Sequence, residues 1–201
     1  VMETGRKSWS ALLGLPVLGR YFRATLADDA VLPDATAPGY AFSNFDPDRD
    51  LEAASRLMNA AYPSLRQLMT PEKLRRMAQA PYYIPRSWFF LVESSSSQPV
   101  GFAIHGYCAE LQEGFIDWIE VIPRLRHRGF GSLLTYECVR RMAGKSRFIT
   151  TSGSLDAPFV HGDLYKKCGF DRIRQWTILG QARLAEDRDD IFTVPPGHPS
   201  F

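Results

Sequence analysis

Ile119 to Leu134 reads IEVIPRLRHRGFGSLL, and this stretch decides the fold. An apolar run ends at Pro123. A basic turn follows, carrying Arg124, Arg126, His127 and Arg128. Gly129 and Gly131 then lead into a segment with Leu134, Cys138, Val139 and Met142 at helical spacing, closed by Gly144. Strand, glycine turn and helix in that order form an anion cradle. The first amides of a helix lack internal acceptors, and the helix dipole places partial positive charge on them. Glycine permits close backbone approach to a ligand, and arginines add charge-assisted donors. The Lys-Ser/Thr pair of a P-loop is absent, because Ser132 and Leu133 follow Gly131. The third glycine of the dinucleotide fingerprint is absent too, because Leu134 stands in its place. What remains is R-x-x-G-x-G after a strand ending V-I-P.

Working outward, three apolar runs precede the turn: Trp88 to Val92, Val100 to Cys108 and Phe115 to Ile122. A Ser-rich turn joins the first two, so an antiparallel meander is expected. Before them, Tyr40 to Phe45 reads as a short strand. Asp46-Pro47 reads as the start of an amphipathic helix over 47–61, and Thr70-Pro71 as the start of a second. After the basic turn come a strand at Phe148 to Thr151, a helix around His161 to Lys167 and a strand at Arg172 to Leu179. The order β-α-α-β-β-β-α-β-α-β implies an α/β or α+β layered fold with a mixed sheet.

The 201 residues are 45% hydrophobic and 23% charged, as in an ordinary globular domain. Lys+Arg 24 against Asp+Glu 22 leaves a net charge of +2, too balanced for a dedicated nucleic-acid binder. No apolar run reaches the roughly 18–20 residues of a membrane span. Cys108, Cys138 and Cys168 form no C-x-x-C pattern, so no metal is expected and reduced thiols in the cytoplasm are the simplest reading. Trp9 to Leu18 faintly resembles the apolar part of a signal peptide, but Pro16 interrupts it. The expectation is a helical extension and linker over 1–38, a core domain over 39–182 and a Pro-rich tail over 183–201.

Arg126, Gly129 and Gly131 match the R/Q-x-x-G-x-G/A motif of the GCN5-related N-acetyltransferase (GNAT) superfamily. Leu164, Tyr165, Gly169 and Phe170 match that family's later L-Y-x-x-x-G-F segment, in the expected order. The chain therefore resembles a GNAT protein over roughly residues 40–180, about one domain. It departs from the family pattern at Pro158 and His161. The resemblance implies a mixed, mostly antiparallel sheet of about six or seven strands, flanked by helices on both faces. It also implies acetyl-CoA as acyl donor and a primary amine, of a small molecule or a peptide, as acceptor. The backbone of Val121 and Ile122 would hold the pantetheine arm. The amides of His127, Arg128, Gly129, Phe130, Gly131 and Ser132 would hold the pyrophosphate, and Arg126 or Arg128 the ribose phosphate. Neither nucleic acid nor membrane is an expected partner, and a homodimer is left open.

Acetyl transfer needs a base for the ammonium, a donor for the oxyanion and an acid for the departing thiolate. Tyr165 is the candidate acid, because a phenol stays protonated where a thiol ionises. Glu120 is the preferred base. Asp117 lies on the same strand, on the opposite face by period-two geometry unless a bulge intervenes. His105 is a third candidate. Tyr62, Arg66, Tyr82, Tyr83 and Trp88 fall where the family builds its acceptor site. A non-catalytic acyl-CoA-binding or sensing module is the alternative, keeping the cradle without the base.

Overall fold

The computed structural model describes residues 14–34, 36–61, 69–155 and 162–179. Seven strands form one mixed sheet: β1 Val17–Leu26, β2 Tyr40–Asn44, β3 Trp88–Glu93, β4 Pro99–Cys108, β5 Glu113–Val121, β6 Phe148–Ser154 and β7 Phe170–Leu179. The helices are α1 Leu51–Ala61, α2 Pro71–Ala78, α3 Phe130–Met142 and α4 Gly162–Lys167. The spatial order is β2-β3-β4-β5-β6-β1-β7. Every neighbouring pair is antiparallel except β5 and β6. A parallel pair needs a crossover rather than a hairpin, and α3 supplies it.

Alternation along β3 and β4 divides the core between the two sheet faces. Phe89, Leu91, Val100 and Ala103 join Leu134, Cys138 and Met142 of α3 on one side. Trp88, Phe90, Phe102 and Ile104 join Leu57 and Met58 of α1 and Leu74 of α2 on the other. Phe102 is fully buried at that second centre. A buried phenylalanine contributes about 1.5–3 kcal/mol by removing apolar surface from water.

Helix starts follow local chemistry. Thr70 caps α2 by accepting the Lys73 N–H at 3.1 Å, with Pro71 in the first turn. Asp46 does not start α1. Its Oδ1 accepts from the Asp48 N–H at 3.0 Å, an Asx turn two residues on. The helix begins at Leu51, and Asp50 accepts its first bond, from Ala54 N–H at 3.0 Å.

Residues 17–26, expected within a helical extension, are a strand instead. β1 lies inside the sheet and pairs with both β6 and β7. Phe22 and Ala24 bury one face, and Arg23 ties the other to β5. The buried Glu113 accepts from Arg23 and from Thr150 Oγ1, so three strands meet at one carboxylate. The apolar N-terminal residues up to 13 and the tail after 179 lie outside the described residues.

Candidate functional site

β5 and β6 begin side by side and then part. Their register runs Glu113–Phe148, Gly114–Ile149, Phe115–Thr150 and Ile116–Thr151, and stops there. β6 continues to Ser154 along β1, while β5 continues to Val121 along β4. The parting coincides with an extra residue. His105 faces Ile116 and Ile104 faces Trp118, which leaves Asp117 as a bulge. A bulge bends its strand and sharpens the local twist, and here it opens a wedge between β5 and β6.

Antiparallel alternation settles which β5 backbone groups line that wedge. The Ile122 N–H donates to the Val100 carbonyl at 3.0 Å, and Glu120 stands opposite Phe102. Backbone groups of Glu120 and Ile122 thus point at β4, and those of Ile119 and Val121 point into the wedge. Val121 thus faces the wedge. Ile122 faces β4: its N–H is engaged, and its carbonyl accepts from Leu125 at 3.0 Å. Ile119, which the sequence reading missed, takes its place. Only the pairing register reveals this, and no local motif encodes it.

Beyond β5, Pro123–Leu125 forms a single 3-10 turn anchored by the buried Leu125. His127 at φ 60 and Gly129 at φ 87 then turn the chain through left-handed conformations into α3. No side chain caps this helix start. Its first internal bond runs from Leu133 N–H to the Gly129 carbonyl at 3.0 Å, so the amides of Phe130, Gly131 and Ser132 have no helical acceptor. A Cβ on Gly131 would sit 3.4 Å from the Leu164 methyls, so α4 packs closely here. His127 and Arg128 are exposed at the turn. Arg126 is not aimed at solvent. Its Nε donates to the Val121 carbonyl at 3.2 Å and its Nη2 to the Ala61 carbonyl at the end of α1.

Tyr165 stands at the apex of the wedge, 5% exposed between Phe22 and Phe170. Its hydroxyl hydrogen-bonds Thr151, the last β6 residue paired with β5. Thr151 Oγ1 in turn donates to the Ile116 carbonyl at 3.3 Å. Burial pushes the Tyr165 phenol well above its ordinary range, against the Thr151 bond, and the fields of Glu120 and Asp117 push the same way. It therefore remains a proton donor at any physiological pH.

Both carboxylates act on Tyr165. Asp117, at the bulge, has its carboxyl pushed up to about 7 by burial. Glu120 is 3% exposed on the α1–α2 side of the sheet, sharing that side with Trp118. The bulge cancels the simple opposite-face expectation for this pair. Cys168 is buried near the start of α3. Burial raises its thiol, while bonds to Ser132, Tyr136 and Thr135 partly offset this, so it is a packed thiol rather than a nucleophile. Trp88 is core, and Tyr82 and Tyr83 are half-buried against Phe115 and Trp88. Tyr62, Arg66, Pro158 and His161 lie outside the described residues. Among the described residues no cluster of metal-ligating side chains occurs, and no helix is long and apolar enough to cross a membrane.

The family model for the acetyltransferase (GNAT) family matches residues 52–170. No curated protein matches the sequence. Among solved structures, the GCN5-related N-acetyltransferase of Sphaerobacter thermophilus superposes with a TM-score of 0.61 at 20% identity, covering 85% of this chain and 55% of that one. The chain thus spans little more than half of that protein's length. A GCN5-related N-acetyltransferase of Kribbella flavida gives 0.56 at 16% identity, covering 88% and 65%. A GNAT-family acetyltransferase of Novosphingobium aromaticivorans, described as putative, gives 0.54 at 16%, covering 84% and 68%. At these identities the likeness speaks for the fold.

Proposed function

Because the chain belongs to the acetyltransferase (GNAT) family, we propose that it takes acetyl-CoA as acyl donor and acetylates a primary amine by direct attack. The observation that carries this reading is the wedge at Asp117, which opens beside an uncapped helix start. One end offers backbone groups of Ile119 and the Val121 N–H to an amide-bearing arm, the Val121 carbonyl being held by Arg126. The other offers amides from His127 to Ser132 to a diphosphate, where the helix dipole favours negative charge. Arg128, exposed beside them, supplies further positive charge, while Arg126 braces the turn.

The residues at the apex fit the chemistry. The amine nitrogen attacks the thioester carbonyl, and the C–S bond breaks as the amide forms. The Val121 N–H is placed to stabilise the oxyanion. A carboxylate takes the proton that the amine sheds, and the Tyr165 hydroxyl gives one to the departing thiolate. Asp117 is the better-poised base, since its carboxyl titrates at about 7. Glu120 is the second candidate and shares the field at Tyr165. The three unpaired thiols suit a reducing compartment such as the cytoplasm.

Thiol release from acetyl-CoA, measured with a panel of amines, amino acids and peptides, tests the reading. Turnover with at least one amine supports it, together with loss of turnover in Tyr165→Phe and in one of Asp117→Asn or Glu120→Gln. Acetyl-CoA binding without turnover on any amine would leave a sensing module. No binding of CoA by calorimetry would remove both.

A further inference from the structure

A cavity of about 310 Å³ lies at the opposite end of α3 from the glycine turn, lined by Arg86, His105, Arg141 and Lys145, with Asn44 at its edge. The thirteen residues of α3 put roughly 20 Å between the two places. This cavity is thus far from the glycine turn, although His105 itself stands opposite Ile116, where β5 and β6 begin to part.

Its floor is unusual. His105 is 2% exposed, and among the described residues neither Nδ1 nor Nε2 has a hydrogen-bond partner. The His105 N–H donates to the Ser87 carbonyl at 3.1 Å, which continues the β3–β4 register and sets Ser87 directly across from it. Ser87 is 1% exposed, and its Oγ is unpartnered too. Buried polar atoms are nearly always satisfied. Of these three atoms, the two His105 ring nitrogens belong to a residue that lines the cavity, and they mark a place for a polar occupant.

The walls set its charge. Arg141 is held rigidly: Nε donates to Glu137, Nη1 to Asn44 Oδ1 at 2.9 Å and to the Arg86 carbonyl at 2.8 Å, and the guanidinium lies 4.0 Å over the Phe89 ring. Its Nη2 has no hydrogen bond among the described residues. Glu137 is the nearby acid, and it is already shared by Arg140 and Arg141. Arg86 and Lys145 leave the lining net positive. His105 does not add to that charge. Burial, then the positive charges of Arg141 and Lys145, lower it to about 3, so the neutral ring contributes one N–H.

We propose that this cavity binds a small oxyanion, a phosphoryl or carboxylate group, through Lys145 Nζ, Arg141 Nη2 and the His105 ring N–H. Preset donors on a rigid guanidinium and a buried imidazole suit such a group. At its volume, near the lower limit of ligand pockets, it takes the anionic group and little more.

The test titrates the full chain with inorganic phosphate and, separately, with acetate. It follows the assigned His105 ring nitrogens by NMR, with and without saturating CoA. A saturable shift of His105 with at least one of the two anions, unchanged by CoA, is expected, and the stronger arm identifies the preferred group. Lys145→Met, at an exposed position, should weaken that binding about tenfold while leaving the fold intact, as for the loss of one charge-assisted hydrogen bond. No shift with either anion would overturn the proposal. So would equal affinity in Lys145→Met, or displacement by CoA, which would place the ion at the glycine turn.

Discussion

Asp117 serves two purposes with one residue. Its backbone is the extra unit at which β5 parts from β6, and its carboxyl is raised to about 7 by burial. A base must be deprotonated to act, so kcat/KM for amine acetylation should rise with pH through about 7 and then level off. In Asp117→Asn that limb should vanish and the rate should fall about a hundredfold or more. Stability should move the other way. A carboxyl whose folded pKa exceeds its unfolded one contributes stability that is complete at low pH and lost as pH rises through the folded value. At pH 8 the amide variant, with no charge to bury, should therefore melt no lower than the parent, as calorimetry would register. Tyr165→Phe is expected to lower kcat about a hundredfold with little change in KM for acetyl-CoA, because the phenol is asked for a proton rather than for binding. The placement of Tyr165 on a short helix is legible in the sequence because its segment is contiguous. The bulge at Asp117 is not, because a bulge exists only relative to a partner strand.

At the scale of elements, the turn before α3 divides labour between its arginines. Arg126 clamps the end of β5 to the end of α1 through two carbonyls, whereas Arg128 is exposed. Arg126→Met should lower thermal stability by about 1–3 kcal/mol, the cost of orphaning partly buried carbonyls. Arg128→Met should leave the melting temperature alone and weaken CoA binding, and parallel melting and calorimetry would separate the two. Gly129 is required for its backbone: it sits at φ 87, and a Cβ there would meet nothing within 4 Å. Gly129→Ala should cost about 1–2 kcal/mol through the left-handed conformation alone, read by denaturant unfolding. The glycine turn, the helix start and the Thr70 cap were all legible, since each is written within a few residues. The contacts of Arg126 are not legible in the motif, since its acceptors, Val121 and Ala61, belong to different elements. The direction of the Ile122 N–H is not legible either, because it follows from the pairing with Val100.

Across the whole molecule, the sheet is two blades sharing a short seam. β2 to β5 form one blade, and β6, β1 and β7 the other. Four register pairs join them, with Glu113 binding Arg23 and Thr150 at the closed end. β1 is the middle member of the second blade, so a chain shortened to begin after Leu26 should expose two strand edges. It should lose cooperative unfolding and aggregate, which light scattering and circular dichroism would detect. The sequence pattern hid this role. Much of β7 and of the outer positions of β1 stays exposed, so neither shows the strict apolar alternation that marks a half-buried strand. The position of β1 also carries a cost in time. Among the described strands it is made before the others, yet both strands that flank it, β6 and β7, come last, so it must wait unpaired while β2 to β5 are synthesised. A nascent chain with such an early, unmatched strand is a natural client for chaperones that shield the growing polypeptide.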